Sequence, residues 1–182
     1  MNTKHILKYK NTILRPLRQE DIETLRLIRN NSDTSKYLTQ VGDISQSQQK
    51  EWYKRVINDD NEIIFAITEL NNCDEIVGTC SMYNFDKNKA EFGKIMVNPR
   101  CRGRKIGLNA MISILHYSFC ILGMSDITAE VNSNNIASKK NMLNVGFNIV
   151  KDNKQSNSIE LKLTRDSFYK NIDVSSLTIN EV

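Results

Sequence analysis

Apolar and polar positions change period several times along the chain, and the blocks predict strands and helices in alternation. Residues 12–17 read as a strand closed by Pro16. Gln19-Glu20-Asp21 then opens a helix with acid in its first turn, where the helix dipole favours it. Ile22, Leu25 and Ile28, with Leu27 nearby, give that helix an apolar face, and Arg29-Asn30-Asn31-Ser32 ends it. Ser45 is a suitable N-cap for a second helix over 46–58, with Trp52, Tyr53 and Val56 as its apolar positions. Three β-branched, apolar stretches follow, at 63–70, 75–83 and 89–97. Short polar turns join them, so they are expected to lie antiparallel. Residues 107–122 predict a long helix. The strand after it, 126–131, is reached through that helix and can run parallel to 89–97. A helix over 135–145 stops at Gly146, and strands at 147–154 and 158–164 close a hairpin.

The predicted order, β-α-α-β-β-β-α-β-α-β-β, is that of an α/β (mixed α+β) domain: a mostly antiparallel twisted sheet, one parallel strand pair, and helices on both faces. One domain is expected over residues 1–182, with a core at about 12–165 and a tail at 166–182.

Composition narrows the class. Hydrophobic residues make up 40% and charged residues 25% of the chain, as in soluble globular domains. No apolar run approaches about 18 residues, so no membrane span is expected. The first ten residues lack the apolar core of a secretory signal, which points to the cytoplasm. The cysteines, Cys73, Cys80, Cys101 and Cys120, form no CxxC pair, and neither His5 nor His116 lies near a cysteine pair. No zinc or other metal site is expected, and the thiols read as free. His116 reads as a residue at the edge of the core. The formal charge of +4 is too small to mark a nucleic-acid partner.

That charge is concentrated. Arg100, Arg102, Arg104 and Lys105 follow the predicted strand 89–97, and Gly103 and Gly107 stand among them before the next helix. Free N–H groups at a helix start, backed by its dipole, attract an anion. Glycine admits a close ligand, and arginine adds charge-assisted bonds. The segment is therefore either a phosphate or diphosphate site or a basic surface turn. Its spacing matches neither the P-loop nor GxGxxG.

Arg102-Gly103-Arg104-Lys105-Ile106-Gly107 resembles the pyrophosphate loop of the GNAT superfamily of acyl-CoA N-acyltransferases. Its first and last positions match, and Lys105 stands where the family has glycine. Asn135-Ile136-Ala137-Ser138 with Val145-Gly146-Phe147 is similar to a second family segment, in the form typical of the RimJ/RimL-like branch. Leu14-Arg15-Pro16-Leu17 with Glu20-Asp21 is similar to the family's opening. The likeness spans about residues 13–164. Arg29-Asn30 and Gln49-x-x-Trp52 further resemble GNAT enzymes that act on nucleotide-linked aminosugars.

The resemblance implies an N-acetyltransferase that moves acetyl from acetyl-CoA to a primary amine by direct attack. The counterparts of strands 89–97 and 126–131 run parallel and splay, and acetyl-CoA lies between them. Ile95, Met96 and Val97 would pair with the pantetheine arm through their backbone. The segment from Arg102 through Gly103, Arg104, Lys105 and Ile106 to Gly107 would hold the diphosphate, with Asn135 and Ser138 on the other wall. Glu91 is the candidate base, and Arg29, Asn30, Trp52 and Tyr83 are the candidate acceptor contacts. A lysine-type amine costs about 4.6 kcal/mol to deprotonate at pH 7, and an α-amine only about 1.4 kcal/mol, so the first needs a base more. The tyrosine that protonates the leaving thiolate in many members falls on Met142, which cannot donate. Ser138, Asn141, Tyr83 and Cys80 are the remaining side-chain donors, and solvent or the product ammonium can protonate the thiolate instead. Cys101 has no role in direct transfer. The acceptor is expected to be a nucleotide-linked aminosugar. A protein N-terminus, a polyamine or another small amine are alternatives, and a non-catalytic CoA-binding regulator competes with the enzyme reading. A homodimer is compatible with the sequence, which does not fix the oligomeric state.

Overall fold

The computed structural model describes residues 3–36 and 42–181. The chain forms β1 (His5–Tyr9), β2 (Thr12–Pro16), α1 (Ile22–Asn30), α2 (Ser32–Ser35), α3 (Gln46–Ile57), β3 (Glu62–Glu69), β4 (Asn72–Asp86), β5 (Lys89–Val97), α4 (Ile106–Cys120), β6 (Asp126–Asn132), α5 (Ile136–Asn144), β7 (Asn148–Asn153), β8 (Ser158–Thr164), α6 (Arg165–Asn171) and β9 (Thr178–Glu181). Single 3-10 turns at Gln19–Asp21 and Pro99–Cys101 precede α1 and α4. The strands form one sheet in the order β7-β8-β6-β5-β4-β3-β2-β1-β9. Every neighbouring pair is antiparallel except β5 and β6.

Side-chain alternation divides the sheet into two apolar faces. Phe65, Met82, Phe92, Ile127 and Leu161 belong to the larger core, with Met111, Ile114 and Leu115 of α4 and with Met142 and Phe168. Helix α4 is apolar nearly all round because it is nearly all buried. Its buried Ser113 and Ser118 donate to the carbonyls of Asn109 and Ile114 at 2.9 and 2.7 Å, which satisfies both hydroxyls inside the helix. On the other face, Ile64, Ala66, Ile76 and Met96 meet Leu25 and Ile28 of α1 and Val56 of α3. Ser45 caps α3 in a reciprocal box with Gln48.

The opening motif has a physical role. Arg15, buried on β2, donates two bonds to Asp21, at 2.8 and 2.7 Å, and Asp21 also accepts from the Arg18 amide. This pair fixes the entry of α1 against the sheet.

Two expectations need correction. Residues 5–9, expected to lie outside the core, form β1. The segment after 165, expected as a tail outside the core, folds into α6 and β9 instead. Phe168 is fully buried, and β9 pairs with β1 from His5↔Glu181 to Lys8↔Thr178. Both strands are short and part polar; β9 is the edge strand of the sheet and β1 lies between it and β2.

Candidate active site

The site is set by where β5 and β6 part. They pair only from Lys89↔Asp126 to Phe92↔Ala129, although β5 continues to Val97 and β6 to Asn132. A bulge marks the parting. Ser81 of β4 faces Gly93, but Thr79 faces Met96, so β5 carries one residue more than β4 over this interval. Lys94 takes φ +49° there. Such a bulge bends and twists the strand that holds it, and the backbone of Ile95, Met96 and Val97 has no β6 partner beyond it. A strand-like ligand fits that opening.

Glu91 lies on β5 just before the bulge, half-buried. Its Oε1 accepts from the Tyr83 hydroxyl at 2.7 Å and its Oε2 from Asn84 Nδ2 at 3.0 Å. Tyr83 and Glu91 face each other across the β4–β5 ladder. Burial pushes the Tyr83 phenol well above the ordinary tyrosine range, and the bond to Glu91 and the charges of Glu91, Glu62 and Glu130 act in the same direction. A Cβ on Gly93 would stand 2.6 Å from the Tyr83 hydroxyl, so glycine there admits the phenol. Asn84, Glu62 and Glu130 were not singled out in the sequence, because they join Glu91 only through cross-strand register.

The basic loop lies at the same end of the opening. The N–H groups of Gly103, Lys105, Ile106, Gly107 and Leu108 have no acceptor among the described residues. Gly103 and Lys105 adopt left-handed conformations, φ +78° and +61°. Lys105 thus takes the backbone geometry that glycine favours at the position where the resemblance has glycine. The arginines differ from the expectation of free cations. Arg100 pairs with Glu75, Arg104 with Glu69, and Arg102 donates to the Asp33 carboxylate and carbonyl, both at 3.2 Å. Arg102 in turn holds the Asp33 carboxyl below the usual range. The anion cradle is therefore chiefly backbone, a row of orphan donors at the start of α4. These donors and the opened strands fit a diphosphate with an extended arm, so acetyl-CoA suits the residues present.

The remaining expected contacts divide. Arg29 is half-buried, has no partner among the described residues, and is held below its usual range by burial. Asn30 is committed elsewhere: its Nδ2 donates to the Ile44 carbonyl and its Oδ1 accepts from the Ile44 amide, both at 3.0 Å. Trp52 packs against the smaller core. Asn135 caps α5, accepting from the Ser138 amide at 3.1 Å. Met142 is buried in the larger core. His116 is half-buried, lowered by burial, and bonds Tyr169 at 3.0 Å. Cys80, Cys101 and Cys120 are free thiols.

An opened parallel pair, a helix-start anion cradle and a carboxylate between them define a class of acyl-CoA transferase. The model of the acetyltransferase (GNAT) domain matches residues 11–148, and the chain belongs to that family. It is an acetyl-CoA-dependent N-acetyltransferase. Its fold is similar to that of spermidine N-acetyltransferase from Vibrio cholerae, solved with CoA and spermine. The TM-score is 0.77 and the identity 19%, over 87% of this chain and 98% of that one. FdhC, a nucleotide-linked sugar GNAT, gives a TM-score of 0.75 at 21% identity, over 94% of each chain. A GNAT-family acetyltransferase from Bacillus anthracis gives 0.76 at 16% identity, over 88% and 99%. No curated protein sequence matches the chain. Among the described residues no helix is long and apolar enough to cross a membrane, and no group of His, Cys, Asp or Glu could hold a metal ion.

Proposed function

We propose that the chain acetylates the primary amine of a nucleotide-linked aminosugar, with Glu91 as base and Tyr83 beside it as proton donor. One observation carries the chemistry: the Tyr83–Glu91 pair sits where β5 and β6 part. Bound acetyl-CoA supplies a thioester carbonyl for direct attack. Backbone donors of residues 103–108 hold its diphosphate, and residues 95–97 align its arm. Glu91 accepts the proton of the incoming ammonium, directly or through a water. The Tyr83 phenol, kept neutral by burial, holds a proton for the leaving thiol and recovers one through Glu91. Met142 takes no part.

The acceptor preference rests on Arg29. A half-buried guanidinium without a partner among the described residues favours an anionic group such as a nucleotide diphosphate. A second reading, a polyamine, is favoured by Glu62, Glu91 and Glu130 around Tyr83. The test is thiol release from acetyl-CoA with a nucleotide-linked aminosugar, spermidine and an N-terminal peptide. Turnover of the aminosugar alone supports the first reading. Turnover of spermidine without the aminosugar overturns it. Tight acetyl-CoA binding with no thiol release from any of the three amines would overturn both acceptor readings.

A further inference from the structure

Lys94 has no place in the chemistry above, yet the fold sets it over the candidate site. The bulge in β5 puts two consecutive residues, Gly93 and Lys94, on the face shared by Glu62, Ser81, Tyr83 and Glu91, while Ile95 packs against the opposite core. Lys94 adopts φ +49° to do so. A non-glycine residue in that region costs about 1–3 kcal/mol and persists only where its surroundings enforce it. The Lys94 ammonium lies 4.4 Å from the centre of the Tyr83 ring and 2.5 Å from Glu62 Oε2. Glu62 faces Tyr83 across the β3–β4 ladder, and its side chain is only 8% exposed. A carboxylate so buried needs a cation, and an ammonium over an aromatic face is itself attractive. Glu62, Lys94, Tyr83 and Glu91 thus form a continuous row from β3 to β5.

We propose that Lys94 and Glu62 are a positioning pair that holds the Tyr83 phenol over Gly93 and in line with Glu91. The proposal rests on the catalytic reading of Tyr83 and Glu91. The side chain of Lys94 spans two strands, from β5 back to β3, and fixes the ring of Tyr83 from above. Gly93 leaves the room the phenol needs, and Glu91 takes its proton-bearing end. The pair acts through Tyr83: Lys94 stands at the bulge where β5 leaves β6, its side chain turns back to Glu62 on β3, and neither residue belongs to the loop before α4.

The experiment compares Lys94→Met, Lys94→Arg, Glu62→Gln, Glu91→Gln and Tyr83→Phe, with Lys94→Met also made in the Tyr83→Phe background. Lys94→Met keeps the apolar stem and loses the charge. Its kcat is expected to fall about tenfold, as for a small misplacement of a reacting group, with acetyl-CoA affinity unchanged. Glu62→Gln opens the same pair from the buried side and reproduces the loss, and Lys94→Arg restores most of the rate. In the Tyr83→Phe background, Lys94→Met adds no further loss. An equal further loss there would show that Lys94 acts elsewhere and overturn the proposal. A wild-type rate in Lys94→Met beside a slow Glu91→Gln would overturn the positioning pair alone. A wild-type rate in Glu91→Gln would overturn the catalytic dyad, and the pair with it.

Discussion

Burial keeps the Tyr83 phenol protonated beyond the pH at which a solvated tyrosine ionises, and Glu91 accepts its hydrogen bond. The folded value is raised above the unfolded one, near 10. The resulting stabilisation is fully present below about pH 10 and is lost as the pH rises through the folded value. Wild type should therefore lose thermal midpoint above pH 10 more steeply than Tyr83→Phe, which thermal melts across that range would check. The same variant should lose about tenfold or more in kcat, because the proton beside Glu91 is gone. Arg29 makes a separate prediction. A charge-assisted bond is worth about 1.5–3 kcal/mol. Arg29→Gln should then raise KM for the aminosugar nucleotide by about ten- to a hundredfold and leave acetyl-CoA affinity unchanged. An unaltered KM would remove Arg29 from the acceptor wall. Glu91 and Arg29 were legible as candidates because a resemblance pointed to them. Lys94 and Glu62 were not, since only the bulge and the cross-strand register bring them together.

The bulge, the parted strands and the loop before α4 act as elements, and glycine tests them separately. A Cβ on Gly93 meets only the end of the Tyr83 side chain, whereas one on Gly78 would lie 2.0 Å from the Met96 carbonyl oxygen, a backbone atom. Gly93→Ala should fold and lose about a hundredfold in kcat through displaced Tyr83. Gly78→Ala should instead damage the β4–β5 pairing and show first as a lowered thermal midpoint. In the entry to α1, Asp21→Asn leaves the buried Arg15 cation without its carboxylate and should cost about 3–5 kcal/mol in denaturant unfolding. The loop was legible as a candidate phosphate site from its glycines and charge. Its working parts were not, because ion pairs with Asp33, Glu69 and Glu75 depend on contacts distant in sequence. Arg102→Glu with Arg104→Glu should still weaken acetyl-CoA binding, more at low salt. Unchanged affinity in that double variant would deny the two arginine charges a part in binding and leave the cradle to the backbone alone.

Across the whole molecule, one nine-stranded sheet carries α1 and α3 on one face and α4 on the other, and the parted strands lie inside it. The central order of elements was readable from hydrophobic period alone, since β3 to β8 have strong patterns and short turns. The edges were not. Residues 5–9 and 178–181 are short, half-polar strands whose identity comes from pairing with each other. The proposed chemistry turns on Glu91 as the base at the opening, and the pH–rate profile of Glu91→Gln against wild type is its sharpest test. With acetyl-CoA and one amine of high pKa, the variant should bind the cosubstrate normally and run about 10²–10⁴-fold slower at neutral pH. Much of the deficit should vanish as the pH rises, because free amine replaces the missing base. A variant as fast as wild type at pH 7, or a deficit that ignores pH, would contradict that role.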